Sequence, residues 1–306
     1  MHPFRFGITA ARAADGAAWA RLARRAEELG YATLVMPDHL TDQLAPMPAL
    51  AAAAAATTRL HLGPFVLAND YRYPLVMARE AATLQALSGG RFELGLGAGW
   101  MRSDYRQLGL PYDRPGARVD RLVATLEITR RLFAGETVTR EGPLYPLAGA
   151  RLDPPPHPIP PIMVGGGGPR ILRIAARHAS IVGLLAQFDA RGRPMLQQGT
   201  EAATAAKVET LRRAAGARVD ALELNVLVVD AALAGGERSL GASALALLKG
   251  AGAGAVGGSP YVLYGTVDRL RETLLRRRER LGISYYIWSS RHVEAMAPLV
   301  EAIAGR

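Results

Sequence analysis

A short apolar run followed by an amphipathic helical run recurs eight times along this chain. Strands that alternate with helices in this way are typical of a parallel sheet, and eight such units in 306 residues favour a closed barrel over an open sheet. We therefore predict one α/β domain over residues 1–306, folded as a (β/α)8 TIM barrel. The predicted strands cover residues 4–9, 32–36, 60–68, 92–97, 162–164, 181–185, 223–229 and 284–288. The predicted helices cover residues 16–29, 46–56, 75–87, 116–133, 170–179, 200–215, 266–281 and 293–303.

An insertion interrupts this rhythm between the fourth and fifth strands. It comprises residues 102–115 and residues 135–161, and the second stretch is dense in proline from position 143 onward. Two interpretations remain open for it, a rigid excursion that packs under the barrel and a lid over the C-terminal ends of the strands. A further Gly- and Ala-rich stretch, residues 250–258, predicts a loose loop.

The composition excludes several kinds of site. The chain contains no cysteine, so it has no disulfide, no thiolate zinc site, no cysteine-ligated iron–sulfur cluster and no cysteine nucleophile. The six histidines form neither a helical pair nor a carboxylate cluster with metal spacing, so we predict no metal site. No run reaches the roughly 18 apolar residues of a membrane span, and the first seven residues lack a signal-peptide layout. We therefore expect a soluble, cytoplasmic protein without a membrane partner.

The net charge of +10 comes almost entirely from arginine, since lysine occurs only at Lys207 and Lys249. Coding bias in a GC-rich genome explains such a composition, and so does attraction of an anionic cofactor. The arginines are spread over several predicted helices and do not form one basic segment interleaved with aromatic residues. We therefore predict no nucleic-acid partner.

Asp38 and His39 directly follow the second predicted strand. Catalytic groups of barrels lie in the loops after the strands, and a histidine there can exchange a proton near neutral pH. The neighbouring carboxylate would fix the imidazole tautomer or move a proton itself. The alternative is that Asp38 caps a short helix and that His39 is merely exposed. Asn69 and Asp70, after the third strand, are expected at the same face.

Two glycine-rich loops follow the fourth and fifth strands. The first, ending in Ala98, Gly99 and Trp100, lets the backbone approach a flat or anionic ligand, although a tight turn explains it equally well. The second places four glycines, at positions 165–168, before a proline that opens the next helix. Amide groups at a helix N-terminus bind anions, so this loop predicts a phosphate site, with a plain glycine-rich turn as the alternative.

In order along the chain, these pieces resemble the bacterial-luciferase-like monooxygenase superfamily. The segments that carry the resemblance are EELGY at 27–31, MPDH at 36–39, REAATL at 79–84, LSGGRFELGLGAGW at 87–100 and PIMVGGGG at 161–168. PYVLYGT at 260–266 and RERLGISY at 278–285 look like an actinobacterial branch whose members use coenzyme F420, a deazaflavin.

The resemblance implies a luciferase-like barrel with a cofactor ring in its mouth, and a homodimer as the assembly. It places Asp38 and His39 beside the reacting carbon and implies a non-prolyl cis peptide between Phe65 and Val66 under the ring. The glucose-phosphate dehydrogenases of the deazaflavin branch carry an acidic residue where Trp100 stands, so their sugar-phosphate chemistry is not implied here. The cofactor-binding positions implied are Phe65, Val66, Asn69, Ala98, Gly99, Trp100, Ser103, Gly165, Gly166, Gly167 and Gly168.

The function predicted first is hydride transfer between coenzyme F420 and a small organic substrate. The alternative is an FMN-dependent monooxygenase supplied by a separate flavin reductase. A barrel that binds its cofactor without turnover is a third possibility. A phosphosugar isomerase with no redox cofactor is a fourth, but such an enzyme often needs a metal cluster, and the sequence shows none.

Overall fold

The secondary structure follows the predicted alternation of strands and helices. The computed structural model describes residues 1–185, 196–234 and 258–306. Its strands are β1 (Arg5–Thr9), β2 (Thr33–Met36), β3 (His61–Pro64), β4 (Leu67–Ala68), β5 (Leu94–Gly97), β6 (Val138–Arg140), β7 (Leu147–Ala150), β8 (Ile162–Gly166), β9 (Ile181–Leu184), β10 (Glu223–Leu227), β11 (Asp230–Leu233), β12 (Val262–Gly265) and β13 (Ile283–Ser289). Its α-helices are α1 (Gly16–Glu28), α2 (Pro46–Ala56), α3 (Pro74–Leu87), α4 (Arg102–Gln107), α5 (Pro115–Phe133), α6 (Pro169–His178), α7 (Glu201–Ala215), α8 (Val267–Leu281) and α9 (Ala297–Ile303).

Eight parallel strand positions form the barrel, and the third position consists of two short pieces. The sheet order is β3-β2-β1-β13-β10-β9-β8-β5-β4, so the two pieces of the third strand lie at its two ends. A parallel bridge between Leu62 in β3 and Phe92, just before β5, completes the ring. The predicted (β/α)8 barrel is confirmed.

The prediction of one continuous third strand over residues 60–68 is wrong. The strand breaks at Phe65 and Val66, which are joined by the non-prolyl cis peptide that the family resemblance implies. The Val66 side chain packs where β5 and β8 carry glycines. A Cβ atom added to Gly97 would lie 2.6 Å from Val66 Cγ2, and one added to Gly165 would lie 3.1 Å from Val66 Cγ1. These two glycines therefore make room for Val66 inside the barrel.

Helix boundaries follow caps and prolines. Asp15 caps α1 by accepting a hydrogen bond from the Ala18 amide at 2.6 Å, and such N-caps stabilise a helix by about 1 kcal/mol. The closing helix, predicted from residue 293, is shorter than expected, because α9 begins only at Ala297. Pro298 explains the difference, since proline lacks an amide hydrogen and is favoured in the first helical turn.

The insertion between the fourth and fifth strand positions contributes two different elements. Its first stretch forms α4, and its second forms the antiparallel hairpin β6–β7. The hairpin packs beside the barrel against α5, where Arg140 lies 3.6 Å from Glu127. Its turn carries Tyr145, whose hydroxyl accepts a hydrogen bond from Asn69 Nδ2 at 3.1 Å. The hairpin thus packs against α5, and its turn reaches the segment that follows β4.

Two sequence-based expectations concern other parts of the chain. The loop predicted at residues 250–258 lies, apart from Gly258, outside the described residues. Among the helices that the structure describes, none has the length and apolar character needed to cross a membrane.

Side chains inside the barrel include an apolar cluster, named here the upper layer, and a charged cluster, named here the lower layer. The two meet where Tyr285 and Ile181 pair in register with Arg5 and Glu223. The upper layer is apolar and is separate from the larger core that lies between the strands and the helices. Its buried members are Val35, Phe65, Met163, Ile181, Tyr285 and Ile287.

The lower layer, at the N-terminal ends of the strands, is charged. Arg5 on β1 donates to both oxygens of Glu223 at 2.8 and 2.6 Å and to Glu93 Oε1 at 2.6 Å. Its guanidinium also lies over the Tyr285 ring, 4.3 Å from the centroid. One arginine therefore satisfies two carboxylates inside a barrel end that would otherwise hold unpaired charge.

The Glu93 carboxylate in this layer makes the stability of the fold depend on acidity. Burial alone would raise its pKa, but Arg5 and His61 outweigh burial and lower the pKa of Glu93 from 4.5 to about 2. A lowered pKa stabilises the folded state above the unfolded-state pKa, and this contribution is lost as the pH falls through the folded-state pKa. We expect the free energy of unfolding to lose about 3 kcal/mol between pH 5 and pH 2 through this group.

The measurement is urea unfolding of the wild type and Glu93→Gln across this pH range. The difference in unfolding free energy between the two proteins should shrink as the pH falls. Glu28→Gln, which alters an exposed carboxylate, should track the wild type at every pH. A pH-independent difference between Glu93→Gln and the wild type would contradict the lowered pKa.

Candidate active site

Asp38 holds two loops of the barrel mouth together. It is 5% exposed, and its Oδ2 accepts hydrogen bonds from Arg72 Nη1 at 2.6 Å and from the Ala68 amide at 2.9 Å. Its Oδ1 accepts from Arg72 Nη2 at 3.0 Å. The carboxylate is therefore bound on both oxygens and joins the loop after β2 to the end of β4. The interpretation that Asp38 fixes the tautomer of its neighbour His39 is not supported by these contacts.

The partner of His39 is Asp104 on α4. His39 Nδ1 lies 2.9 Å from Asp104 Oδ2, and Asp104 is fully buried. Tyr71 donates a hydrogen bond to the same oxygen at 3.2 Å. Burial and then Asp104 raise the pKa of Tyr71, so this hydroxyl stays protonated and remains a donor. The second carboxylate oxygen, Asp104 Oδ1, is buried without a hydrogen-bond partner.

This contact determines how His39 can react. A carboxylate only accepts hydrogen bonds, so a neutral His39 bound to Asp104 carries its proton on Nδ1. Nε2 then presents a lone pair, and no residue that the structure describes hydrogen-bonds to it. Trp100 packs against the imidazole edge-to-face, with ring centroids 5.5 Å apart, and is 39% exposed. His39 is thus a fixed base or, when protonated, a fixed acid beside an aromatic wall.

The interior of the barrel is apolar at the C-terminal ends of its strands. Val66, Leu185 and Leu227 are partly buried and pack on the upper interior layer of the barrel. Such a surface suits one face of a flat ring, because it offers contact area and no competing hydrogen-bond groups. Of the predicted cofactor positions, Phe65 lies within this interior layer and Val66 above it.

The two glycine-rich loops stand at the same end of the barrel. Gly99 has a φ of +71°, and a Cβ atom there would lie 2.3 Å from the Tyr105 hydroxyl, so only glycine fits. Gly168 is the N-cap residue of α6, and Pro169 opens that helix. A cleft of about 180 Å³ beside this N-terminus is lined by residues that include Gly167 and Lys207. Of the four glycines at residues 165–168, only Gly167 lines this cleft, and the anion site predicted there stays a prediction.

Asn69 and Asp70, which we expected at the mouth, belong to a buried network. Asn69 Nδ2 donates to Tyr145 and, at 3.1 Å, to Asp70 Oδ1. The Asp70 carboxylate accepts hydrogen bonds from Arg121 Nε at 2.9 Å and from Arg121 Nη2 at 2.6 Å. Both side chains therefore bind structural partners. Ser103 is half-buried on α4, next to Asp104, and its predicted role in cofactor binding stays a prediction.

Three residues of the site's hydrogen-bond network escaped the sequence interpretation: Tyr71, Arg72 and Asp104. Asp104 lies in the first stretch of the insertion, interpreted as either an excursion or a lid, four residues after Trp100. The available signal was an acidic residue followed by an aromatic residue, Asp104 and Tyr105, shortly after the glycine-rich loop that ends at Trp100. Among the described residues, no three His, Asp or Glu side chains come together as a metal site would require.

Comparison with known proteins places this site in a family. The model of the luciferase-like monooxygenase family matches residues 1–223. An F420-dependent glucose-6-phosphate dehydrogenase of Nakamurella multipartita is 36% identical over 187 residues, which cover 58% of this chain and 55% of that protein. The matched regions span between about a third and three fifths of the curated relatives, 34% to 61% of their length.

Solved structures share the fold along nearly the whole chain. The coenzyme F420-dependent tetrahydromethanopterin reductase of Methanopyrus kandleri superimposes with a TM-score of 0.75 at 18% identity, covering 98% of this chain and 99% of that one. The monooxygenase RslO1 of Streptomyces bottropensis gives 0.74 at 23% identity, covering 97% and 99%. On the match of the family model to residues 1–223, this chain belongs to the luciferase-like monooxygenase family.

Proposed function

We propose that this protein is an oxidoreductase that uses coenzyme F420 to transfer a hydride to or from a small organic substrate. The observation that carries the proposal is the His39–Asp104 contact, which provides an oriented proton-transfer group at the end of the barrel where an apolar surface can take a flat ring. The similarity to relatives named as F420-dependent dehydrogenases supports the choice of a deazaflavin.

The residues present fit such a cofactor. Val66, Leu185 and Leu227 would lie against the ring, and the glycine loops after β5 and β8 would hold the anionic tail. The deazaflavin, when bound, supplies a carbon that carries the hydride. Side chains of this chain would bind and orient the cofactor and the substrate and transfer the proton.

His39 would exchange the proton that accompanies hydride transfer. Its Nε2 accepts a proton from a substrate hydroxyl in oxidation, or the imidazolium donates one to a carbonyl oxygen in reduction. Asp104 keeps the imidazole in one orientation and stabilises its charged form. Asp38 and Arg72 hold the loop that carries His39, and Trp100 shields one side of the imidazole from water.

Cofactor titration tests the proposal. Purified protein is mixed with F420 or FMN, and ligand fluorescence and melting temperature are followed. A ligand at 100 times its Kd stabilises the folded state by about 2.7 kcal/mol. We expect F420 to raise the melting temperature and FMN to leave it unchanged. Stabilisation by FMN alone would overturn the choice of deazaflavin.

A second candidate is an FMN-dependent monooxygenase fed by a separate reductase. The structural similarity to RslO1, which is a monooxygenase, favours it. FMN binding together with oxygen-dependent turnover, in the presence of a flavin reductase, would establish this function. Cofactor binding without turnover on a broad substrate panel would instead favour a non-catalytic barrel.

Replacing His39 separates chemistry from binding. We expect His39→Ala to abolish measurable turnover, because Nε2 is the proton-transfer atom, and to leave cofactor Kd within about tenfold, or 1.4 kcal/mol. Steady-state rates and a fluorescence titration on the same preparation measure both quantities. His292→Ala is the matched control, because it alters a half-buried histidine just after β13. This variant should keep most of its activity. Full activity of His39→Ala would remove this residue from the mechanism.

A further inference from the structure

Lys207 on α7 is a buried lysine that is held by hydrogen bonds and not by a carboxylate. It is 4% exposed. Burial alone lowers its pKa from 10.5 to about 8, so no acidic side chain in the described part of the chain offsets the cost of burying its charge. A buried ammonium is tolerated only where its three N–H groups are bound. The partners of Lys207 therefore show what this cation does in the fold.

The three acceptors come from three different segments. Lys207 Nζ donates to the Leu185 carbonyl at 3.0 Å, to the Gln198 carbonyl at 3.2 Å and to the Tyr261 hydroxyl at 3.4 Å. Leu185 directly follows β9, Gln198 precedes α7 and Tyr261 directly precedes β12. An ammonium presents its donors from one compact centre, whereas arginine presents them in a planar fork. This contact explains a lysine in a chain that otherwise uses arginine almost throughout.

Leu185 is the partner that belongs to the apolar surface at the C-terminal ends of the strands. Its side chain and that of Val66 pack on the upper layer. The two side chains meet over Gly165, where an added Cβ atom would lie 3.1 Å from Val66 Cγ1 and 3.4 Å from Leu185 Cδ1. The Leu185 amide donates to the Gly166 carbonyl at 3.2 Å. Since its carbonyl accepts from Lys207, the backbone of Leu185 is bound on both sides, and its side chain is held beside Val66.

We propose that Lys207 is a positioning residue for the cofactor ring: through the Leu185 carbonyl it fixes one of the side chains against which the ring would lie. The inference rests on the proposed function in requiring a flat ring at this surface, and it applies to a deazaflavin and to a flavin alike. It assigns no contact between Lys207 and the cofactor, because the three N–H groups of the ammonium are already bound.

The test is a double-mutant cycle on cofactor affinity. Kd is measured by fluorescence for F420 and its phosphate-free riboside, and for FMN and riboflavin, on the wild type, Lys207→Met, Leu185→Ala and the double variant. We expect Lys207→Met to weaken the bound cofactor at least about fivefold, by the same factor with and without its phosphate. In the Leu185→Ala background the same change should weaken binding less than about twofold, because the side chain that Lys207 positions is then absent.

Two controls separate this effect from general damage to the fold. Arg212→Met alters an exposed arginine on the same helix, which also donates to a backbone carbonyl, that of Arg280 at 3.1 Å, and should leave Kd unchanged. Leu227→Ala alters the same apolar surface, but Leu227 pairs in register with Ile287 on β13. Lys207→Met should therefore weaken binding as strongly in the Leu227→Ala background as in the wild type.

Three results would overturn the inference. Equal losses from Lys207→Met in the wild type and in Leu185→Ala would mean that Lys207 acts independently of Leu185. A loss confined to the phosphate-bearing ligands would mean that the ammonium acts on the phosphate. An unchanged Kd would leave Lys207 with a merely structural role.

If Lys207→Met fails to fold, Lys207→Arg is measured in its place with the same expectations, because a planar fork cannot reproduce the three contacts. A wild type that binds neither cofactor overturns the proposed function and this inference together. A wild type that binds one of them, with any of the three contrary results in the variants, overturns the inference alone.

Discussion

Asp104→Asn should lower turnover by roughly 10²- to 10⁴-fold, the range over which an oriented acid–base group contributes. An asparagine can occupy the same space, but its amide nitrogen can donate to His39 Nδ1 where the carboxylate only accepts. His39 would then carry its proton on Nε2, and the atom that should accept a proton from the substrate would already hold one. The same carboxylate also stabilises the imidazolium, and that stabilisation is lost with the charge.

Two measurements distinguish this effect from simple damage to the fold. The nitrogen chemical shifts of His39 report its tautomer, which should change from Nδ1–H in the wild type to Nε2–H in Asp104→Asn. Cofactor Kd should stay within about tenfold. Tyr71→Phe, which removes the other donor to Asp104, should reduce turnover less than tenfold. An Asp104→Asn enzyme with normal rates and an unchanged tautomer would show that His39 acts without Asp104.

The importance of Asp104 also shows where sequence reasoning reaches its limit. Asp38 was the natural partner to propose for His39, because the two are adjacent in the chain and both follow a strand. The residue that binds His39 is 65 positions away, on a short helix inside the insertion. Adjacent residues at the end of a strand point in different directions, so Asp38 turns to Arg72 while His39 turns to Asp104. Only the closure of the barrel brings the loop after the second strand, which carries His39, close to the segment after the fourth strand, which carries Asp104.

Periodic features were predictable for a related reason. Apolar runs and amphipathic helices reflect which face each element buries, and this information is local to each segment. The barrel follows from them because eight alternating units have few ways to bury their apolar faces. The break of the third strand at Phe65 is different, since it depends on glycines that two other strands provide at Gly97 and Gly165. It was anticipated only through the family resemblance.

The charged layer at the other end of the barrel was not anticipated at all. Glu93 and Glu223 follow Arg5 by 88 and 218 residues along the chain. Each of the three is by itself an ordinary charged residue near the start of a strand. Their meeting point is defined by the register of β1, β5 and β10 around the closed sheet. Because the Glu93 and Glu223 side chains are only 6% and 11% exposed, a carboxylate left unpaired there would have little contact with water.

Arg5→Met should therefore destabilise the fold by about 3–5 kcal/mol, the cost of breaking a buried ion pair by removing one partner. The variant leaves Glu93 and Glu223, whose side chains are 6% and 11% exposed, without their guanidinium. Urea unfolding at pH 7 measures the loss. Arg12→Met is the matched control, because Arg12 pairs with Asp42 at the surface, where the two side chains are 69% and 88% exposed. Exposed pairs contribute about 0–1 kcal/mol, so this variant should unfold close to the wild type.

A double variant isolates the charge from the packing. Adding Glu93→Gln to Arg5→Met removes one of the two carboxylates that have lost their guanidinium partner. The loss of unfolding free energy in the double variant should therefore be smaller than the sum of the two single losses by more than about 0.5 kcal/mol. Strict additivity would mean that Arg5 stabilises the barrel only through its stem and its contact with Tyr285. Recovery of unfolding free energy in the double variant would instead show that the carboxylates of the lower layer require a cation. Arg5 would then be the group that allows two carboxylates to be buried at one end of the barrel.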